Sequence, residues 1–179
     1  NNIWVVGDDE ECVVIDAPHS VEAILDVVAG RKVKAILLTH AHDDHCRVAP
    51  ALREAVVAPI FLHPDDKPLW ELTHTDHLWD MDLPDGWEIT VGGTVLRVLH
   101  TPGHAPGACC FYAPSLGAVF TGDTLFNGGP GATGRSYSDR PLLEESIRAK
   151  LFALPDETVV HTGHGDDTTI GSERALLDG

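Results

Sequence analysis

Cysteine is scarce and unpatterned. The chain has four, Cys12, Cys46, Cys109 and Cys110, with no C-x-x-C pair, which excludes a thiolate zinc knuckle. Such thiols read as small apolar core residues and fit a reducing, cytoplasmic setting. Adjacent Cys109 and Cys110 in "GACCFY" are expected on opposite faces of a strand. Positive charge is scarce too: 12 Lys+Arg stand against 28 Asp+Glu, a formal charge of −16. Nucleic acid and anionic membrane are therefore poor partners. No run of 18 apolar residues occurs, so no membrane-spanning helix is expected. The opening "NNIWVVGDDEECVVID" reads as an exposed start running into a strand, not as a signal peptide. There is no low-complexity tract or linker, so residues 1–179 are expected to form one domain.

What is present alternates between strand and helix signals. "IWVV" and "CVVID" flank "GDDEE" as a hairpin. Ser20 is placed to cap "VEAILDVVAG", with Gly30 as its stop. "VKAILLT" reads as a strand buried on both faces, "RVAPALREAV" as a helix starting near Pro50 or one turn earlier, and "APIFLH" as a strand. Residues 64–86 read as a loop with one helical turn. "WEITV" and "TVLRVLH" make a second hairpin across "GG"; "GACCFYA" and "GAVFTGD" make a third. "NGGPGATGRS" reads as a glycine-rich loop. "RPLLEESIRAKLFAL" repeats apolar residues at helical spacing, with Pro141 in its first turn. "TVVHTGHG" is a last strand and loop, and "GSERALLDG" a last helix. Two similar halves of this kind imply sheets covered by helices on their outer faces.

Histidine is abundant, and its placement is informative. "THAHDDH", Thr39 to His45, follows the apolar run "AILL". In H-x-H-x-D-H an extended turn can aim His40 and His42 at one point, while Asp44 and His45 aim at a second nearby. Imidazole and carboxylate without thiolate suit zinc, iron or manganese in a catalytic site. Three later segments also follow strands: "VLRVLHTPGH" with His104, "GAVFTGD" with Asp123, and "TVVHTGH" with His164. Alone, His104 is equally a turn histidine, Asp123 a turn or capping aspartate, and His164 competes with His161. Rigid strand ends can hold ligands to metal-site tolerance, and a two-ion site needs more ligands than one loop supplies.

In that order, THAHDDH, TPGHAPG, TGD and HTGHGDDTTIGSE resemble the metallo-β-lactamase fold hydrolases, most of all the small glyoxalase II-like hydroxyacylglutathione hydrolases. The resemblance covers nearly the whole chain. It implies an α+β fold, an αββα sandwich of two mixed sheets with helices on the outer faces. It also implies two divalent metal ions, zinc before iron or manganese. His40, His42 and His104 would hold the first ion and Asp44, His45 and His164 the second, with Asp123 bridging. Asp44 and Asp123 would also serve catalysis by offsetting metal charge and fixing geometry. The implied reaction is attack on a small-molecule thioester by a hydroxide shared between the ions.

Around that centre, Asp16 in "VVIDAP" is a candidate to orient a ligand or an ordinary turn aspartate. Arg135 and Tyr137 are candidates for orienting an acidic thiol carrier. Cys46, His19, His63, His74, His77 and His100 read as packing or surface residues; His74 and His77 would pair only on a helical turn. Thr168, Thr169 and Glu173 read as capping and structural. The sequence departs from the family pattern at Val48, where a small residue is common, and at Ala105, where threonine is common. The long C-terminal helical extension of larger glyoxalase II enzymes does not appear, which weakens glutathione as the carrier. Rival readings are a one-iron persulfide dioxygenase, a lactonase or other ester hydrolase, a β-lactamase, and a metal-binding module without turnover. Neither the acyl group nor the oligomeric state is legible.

Overall fold

Two sheets lie at the centre of the molecule in a computed structural model that describes residues 1–178. The first begins with β1 (Trp4–Gly7) and β2 (Glu11–Ile15), an antiparallel hairpin. Asp8 closes its turn by accepting the backbone N–H groups of Glu10 and Glu11, both at 2.9 Å. Next come α1 (Val21–Val28), β3 (Lys32–Leu37), α2 (Asp43–Cys46), α3 (Ala49–Val56), β4 (Ile60–Leu62), α4 (Lys67–Thr73) and β5 (Met81–Asp82). The sheet order is β1-β2-β3-β4-β5, parallel from β2 onward.

The second sheet is built from β6 (Glu88–Val91), β7 (Thr94–His100), β8 (Cys109–Ala113), β9 (Ala118–Gly122), β12 (Val159–Thr162) and β13 (Thr168–Thr169). Its order is β13-β12-β9-β8-β7-β6, with β9 and β12 parallel and the other pairs antiparallel. Between β9 and β12 lie the short pair β10 (Leu125–Phe126) and β11 (Gly129–Pro130), and α5 (Arg140–Ser146); α6 (Ile170–Asp178) follows β13.

The period-2 alternation of strand side chains sorts the core into three layers. Val13, Ile15 and Leu37 of the first sheet meet Val98, Phe111 and Phe120 of the second. On the first sheet's other face, Cys12, Val14 and Ile36 pack under Ile24 of α1, Leu52 of α3 and Trp70 of α4. On the second sheet's other face, Cys110, Val119 and Val160 pack under Leu143 of α5 and Ile170 of α6. Cys109 and Cys110 accordingly sit in different layers. The result is an α+β arrangement, an αββα sandwich of two mixed sheets.

Several elements differ from the sequence expectation. Ser20 caps α1 as expected, its hydroxyl accepting the Ala23 N–H at 3.2 Å. The left-handed stop, however, is Ala29 (φ 55), one residue before Gly30. The expected loop at 64–86 contains the two-turn helix α4 and the strand β5. Pro68 lies in the first turn of α4, where no N–H is required. "DDHC" is a one-turn helix rather than an open turn. The glycine-rich loop holds β11, which pairs with β10 just before it, and α5 continues as a π-helical turn, Ile147–Leu151.

Candidate metal centre

All four histidine- and aspartate-bearing loops emerge at strand C-termini, from β3, β7, β9 and β12. A backbone bond from Cys109 N–H to the Thr39 carbonyl, 2.8 Å, ties the first of these loops to the second sheet. Asp16, just past β2, anchors the same loop: Oδ1 accepts the Thr39 N–H and Oδ2 the Thr39 hydroxyl, each at 2.8 Å. Gly122 takes φ +52 at the turn into Asp123, a conformation costly for other residues. A Cβ on Gly163 would lie 2.3 Å from Asp123 Oδ1, so only glycine fits beside that carboxylate.

The loops bring the seven expected side chains together in three overlapping sets: His40, His42 and His104; His40, His45 and Asp123; Asp44, His45 and His164. Asp123 joins the sets. Its Oδ1 is 3.2 Å from His45 Nε2, and its Oδ2 is 3.3 Å from His164 Nε2 and 3.5 Å from His104 Nε2. His161, the competitor of His164, instead packs against Trp4 and Phe120 and bonds Asp167 at 2.8 Å.

The hydrogen-bond network assigns the imidazole protons. His45 Nδ1 donates to Asp16 Oδ2 at 2.8 Å and His104 Nδ1 to the Ala132 carbonyl at 2.7 Å. In the neutral, metal-binding form both Nε2 atoms are then lone pairs aimed at the cluster. His42 Nδ1 is 3.1 Å from His104 Nε2, and His45 Nε2 is 3.2 Å from Asp123 Oδ1, so each pair needs a proton or a cation between its lone pairs. Buried His40 Nε2 and Asp123 Oδ1 have no hydrogen-bond partner. Converging lone pairs with orphaned buried acceptors repel unless a cation lies among them, so this donor set fits divalent metal.

Charge agrees. Burial, with the neighbouring imidazoles, pushes His40 well below the usual histidine range and His42 down to about 4; burial lowers His104 as well. These rings are neutral at pH 7, the form that binds metal. Burial also opposes a charge on His45, but the Asp16 and Asp123 carboxylates outweigh it and push the group up to about 10. Without metal His45 would therefore carry a second proton on Nε2, toward Asp123 Oδ1, and a divalent ion bound there would take that proton's place. Burial would raise Asp44 and Asp123, yet His45 and its neighbours hold both below the usual carboxylate range.

The remaining candidates divide. Arg135 lines two cavities: one of about 270 Å³ over Asp44, His104, Asp123 and His164, and one of about 530 Å³ beside His42. Tyr137 is 57% exposed and is not among the residues lining either. Cys46 is a buried core residue, and His74 Nε2 bonds the Cys46 carbonyl at 2.9 Å instead of pairing with His77. His63 and His100, with Asp65, form a further group of potential ligands. Their rings stack 3.8 Å apart at 9°, so the in-plane lone pairs run parallel instead of converging. Thr169 accepts the Ser172 N–H at the start of α6, and Glu173 accepts from Thr168 and Gly128.

Sequence reasoning missed Asp66, Leu69 and Leu72. Asp66 is buried and accepts the Ala41 N–H at 2.7 Å, holding the residue between His40 and His42. Its one signal was an acidic residue soon after strand β4, at the sheet end where the other site residues lie.

Residues 1–164 match the family model described as the metallo-beta-lactamase superfamily. The hydroxyacylglutathione hydrolase GloC of Haemophilus influenzae is 34% identical, over 97% of this chain and 89% of its own length. The solved structure of the BLEG-1 B3 metallo-beta-lactamase matches with a TM-score of 0.88 at 33% identity, over 97% of this chain and 91% of that one. TTHA1623 in a di-iron-bound form matches with a TM-score of 0.86 at 37% identity, over 98% and 92%. No helix among the described residues is long and apolar enough to cross a membrane.

Proposed function

Because the chain belongs to the metallo-beta-lactamase superfamily, we propose that residues 1–179 form one domain that hydrolyses small-molecule thioesters at a pair of divalent metal ions. His40, His42 and His104 would hold one ion and Asp44, His45 and His164 the other, with Asp123 contributing a carboxylate to the site. The observation that carries the reading is the convergence of bare imidazole and carboxylate lone pairs around Asp123, with His40 Nε2 and Asp123 Oδ1 orphaned. The likeness to GloC supports the thioester, and the likeness to a di-iron protein supports the pair.

Two such ions supply Lewis acidity toward a carbonyl oxygen and lower the pKa of water toward neutrality. The chain's own residues do the rest. Asp16 and the Ala132 carbonyl hold the Nδ1 protons of His45 and His104, so both rings present Nε2 inward. Asp44 and Asp123 stay ionised and offset part of the metal charge. Burial of the first set excludes water from all but the open cavity side, and Arg135 on that side orients an anionic thiol carrier.

The test is elemental analysis with turnover. We expect two metal equivalents per chain, zinc or iron, and hydrolysis of S-lactoylglutathione that falls at least a hundredfold in Asp123→Asn. Turnover of a cephalosporin but of no thioester, or one iron per chain with oxygen uptake on glutathione persulfide, overturns the reading.

A further inference from the structure

We propose that the preferred substrates are amphiphilic thioesters, with an apolar acyl chain lying in the cavity beside His42 and an anionic thiol carrier paired with Arg135. The proposal rests on the thioester-hydrolase reading and names its substrate class. Hydrolysis then forms a C–O bond from water, breaks the C–S bond, and releases a carboxylate, a thiol and one proton.

The cavity, about 530 Å³, opens at His42; Ala41, Leu69, Leu72 and Thr73 wall one part of it, and Arg135, Ser136 and Asp43, whose carboxylate is paired with Arg47, are its polar rim. Its apolar wall comes from α4. Leu69 and Trp70 of that helix are buried, whereas Leu72 is 76% exposed. A lone exposed leucine needs no explanation. This one stands with Leu69 and Ala41 in a concave wall that begins at a candidate metal ligand, the setting in which apolar surface binds ligand.

Arg135 is the second, independent observation. Arg47, Arg53, Arg97, Arg140, Arg148 and Arg174 each hold a carboxylate. Arg31 donates to the Val27 and Val28 carbonyls. Among the described residues, the Arg135 guanidinium alone of the eight has no carboxylate or carbonyl partner, in a chain with 28 acidic residues. It lies where the apolar cavity meets the smaller one over Asp44, His104 and Asp123. A fixed cation between an apolar wall and the reacting centre selects a substrate with an anion near the scissile bond and an apolar chain beyond it.

The experiment uses the metal-loaded protein with acetyl, butyryl and hexanoyl thioesters of two thiols, anionic glutathione and neutral N-acetylcysteamine. We expect kcat/KM to rise with chain length, chiefly through KM, by about fourfold per methylene, the size set by burying one CH2. Leu72→Ser, at an exposed position that folding does not depend on, should lower the hexanoyl-to-acetyl ratio severalfold. Arg135→Gln should raise KM at least tenfold more for glutathione thioesters than for those of N-acetylcysteamine. Calorimetry with the inert thioether S-hexylglutathione supplies a readout without turnover: it should bind more tightly than S-methylglutathione, and Arg135→Gln should weaken it. A kcat/KM independent of chain length with equal binding of the two thioethers overturns the apolar subsite. An equal effect of Arg135→Gln on both carriers overturns the anion subsite. If no thioester of any length is hydrolysed, the thioester reading fails, and the thioether affinities still decide whether the cavity takes an apolar chain beside an anion.

Discussion

Three donors converge on Asp16: the Thr39 N–H, the Thr39 hydroxyl and His45 Nδ1–H. A carboxylate can accept all three; an asparagine offers one oxygen and turns an N–H₂ toward the others. Asp16→Asn should therefore leave the core intact but lower affinity for the ion held by His45 by about 10- to 100-fold, as removal of ligand-orienting partners does elsewhere. Chelator competition on the purified variant measures this, and an unchanged affinity would refute the role. At this scale the sequence was readable because imidazole and carboxylate at short spacing have few other uses. Asp66 was not readable, because one aspartate in "HPDDKP" gives no sign that two distant backbone amides require it.

Helices and strands were legible where side-chain period and caps agreed, as in α1 with Ser20 and in the three hairpins. α4 was obscured by Pro68 and by the dense polar residues around it, and the wall of the apolar cavity was obscured with it. Helix α3 is followed by its capping residue Val57, which takes the left-handed conformation (φ 52) at 88% exposure. A β-branched residue pays a steric penalty there that glycine does not. Val57→Gly should raise stability by roughly 0.5–1 kcal/mol after the entropic cost of glycine is counted. The melting temperature should rise by about 2–4 °C per kcal/mol at this chain length. A lower melting temperature would show that the valine side chain contributes packing that its exposure hides.

Asp66 acts across the molecule. It follows the first sheet's β4, and it accepts the Ala41 N–H after β3 and the Gly107 N–H before the second sheet's β8, at 2.7 and 2.5 Å. Burial pushes its carboxyl up to about 6 against these two bonds, which favour the charged form. Its folded pKa thus exceeds its unfolded one. Its stabilising contribution is complete below about pH 4 and is lost as pH rises through about 6, an interval worth roughly 3 kcal/mol. In chelated protein, the stability difference between the wild type and Asp66→Asn should change across pH 4–6 and stay constant above pH 7, by urea unfolding. A difference that does not vary with pH would show that Asp66 titrates normally.

Sequence alone determined that apolar strands covered by helices carry a histidine-rich ligand loop, His40 to His45, because period-2 apolar runs demand buried sheet faces and imidazole and carboxylate at this spacing have a narrow chemistry; the full set of seven ligands was only what the family resemblance implied. Tertiary structure decided which of His161 and His164 enters the cluster, which imidazole nitrogens face inward, and that α4 and Arg135 flank one cavity. Those outcomes depend on hydrogen bonds and contacts between residues far apart in the chain, and no local pattern encodes which distant partner a side chain will meet.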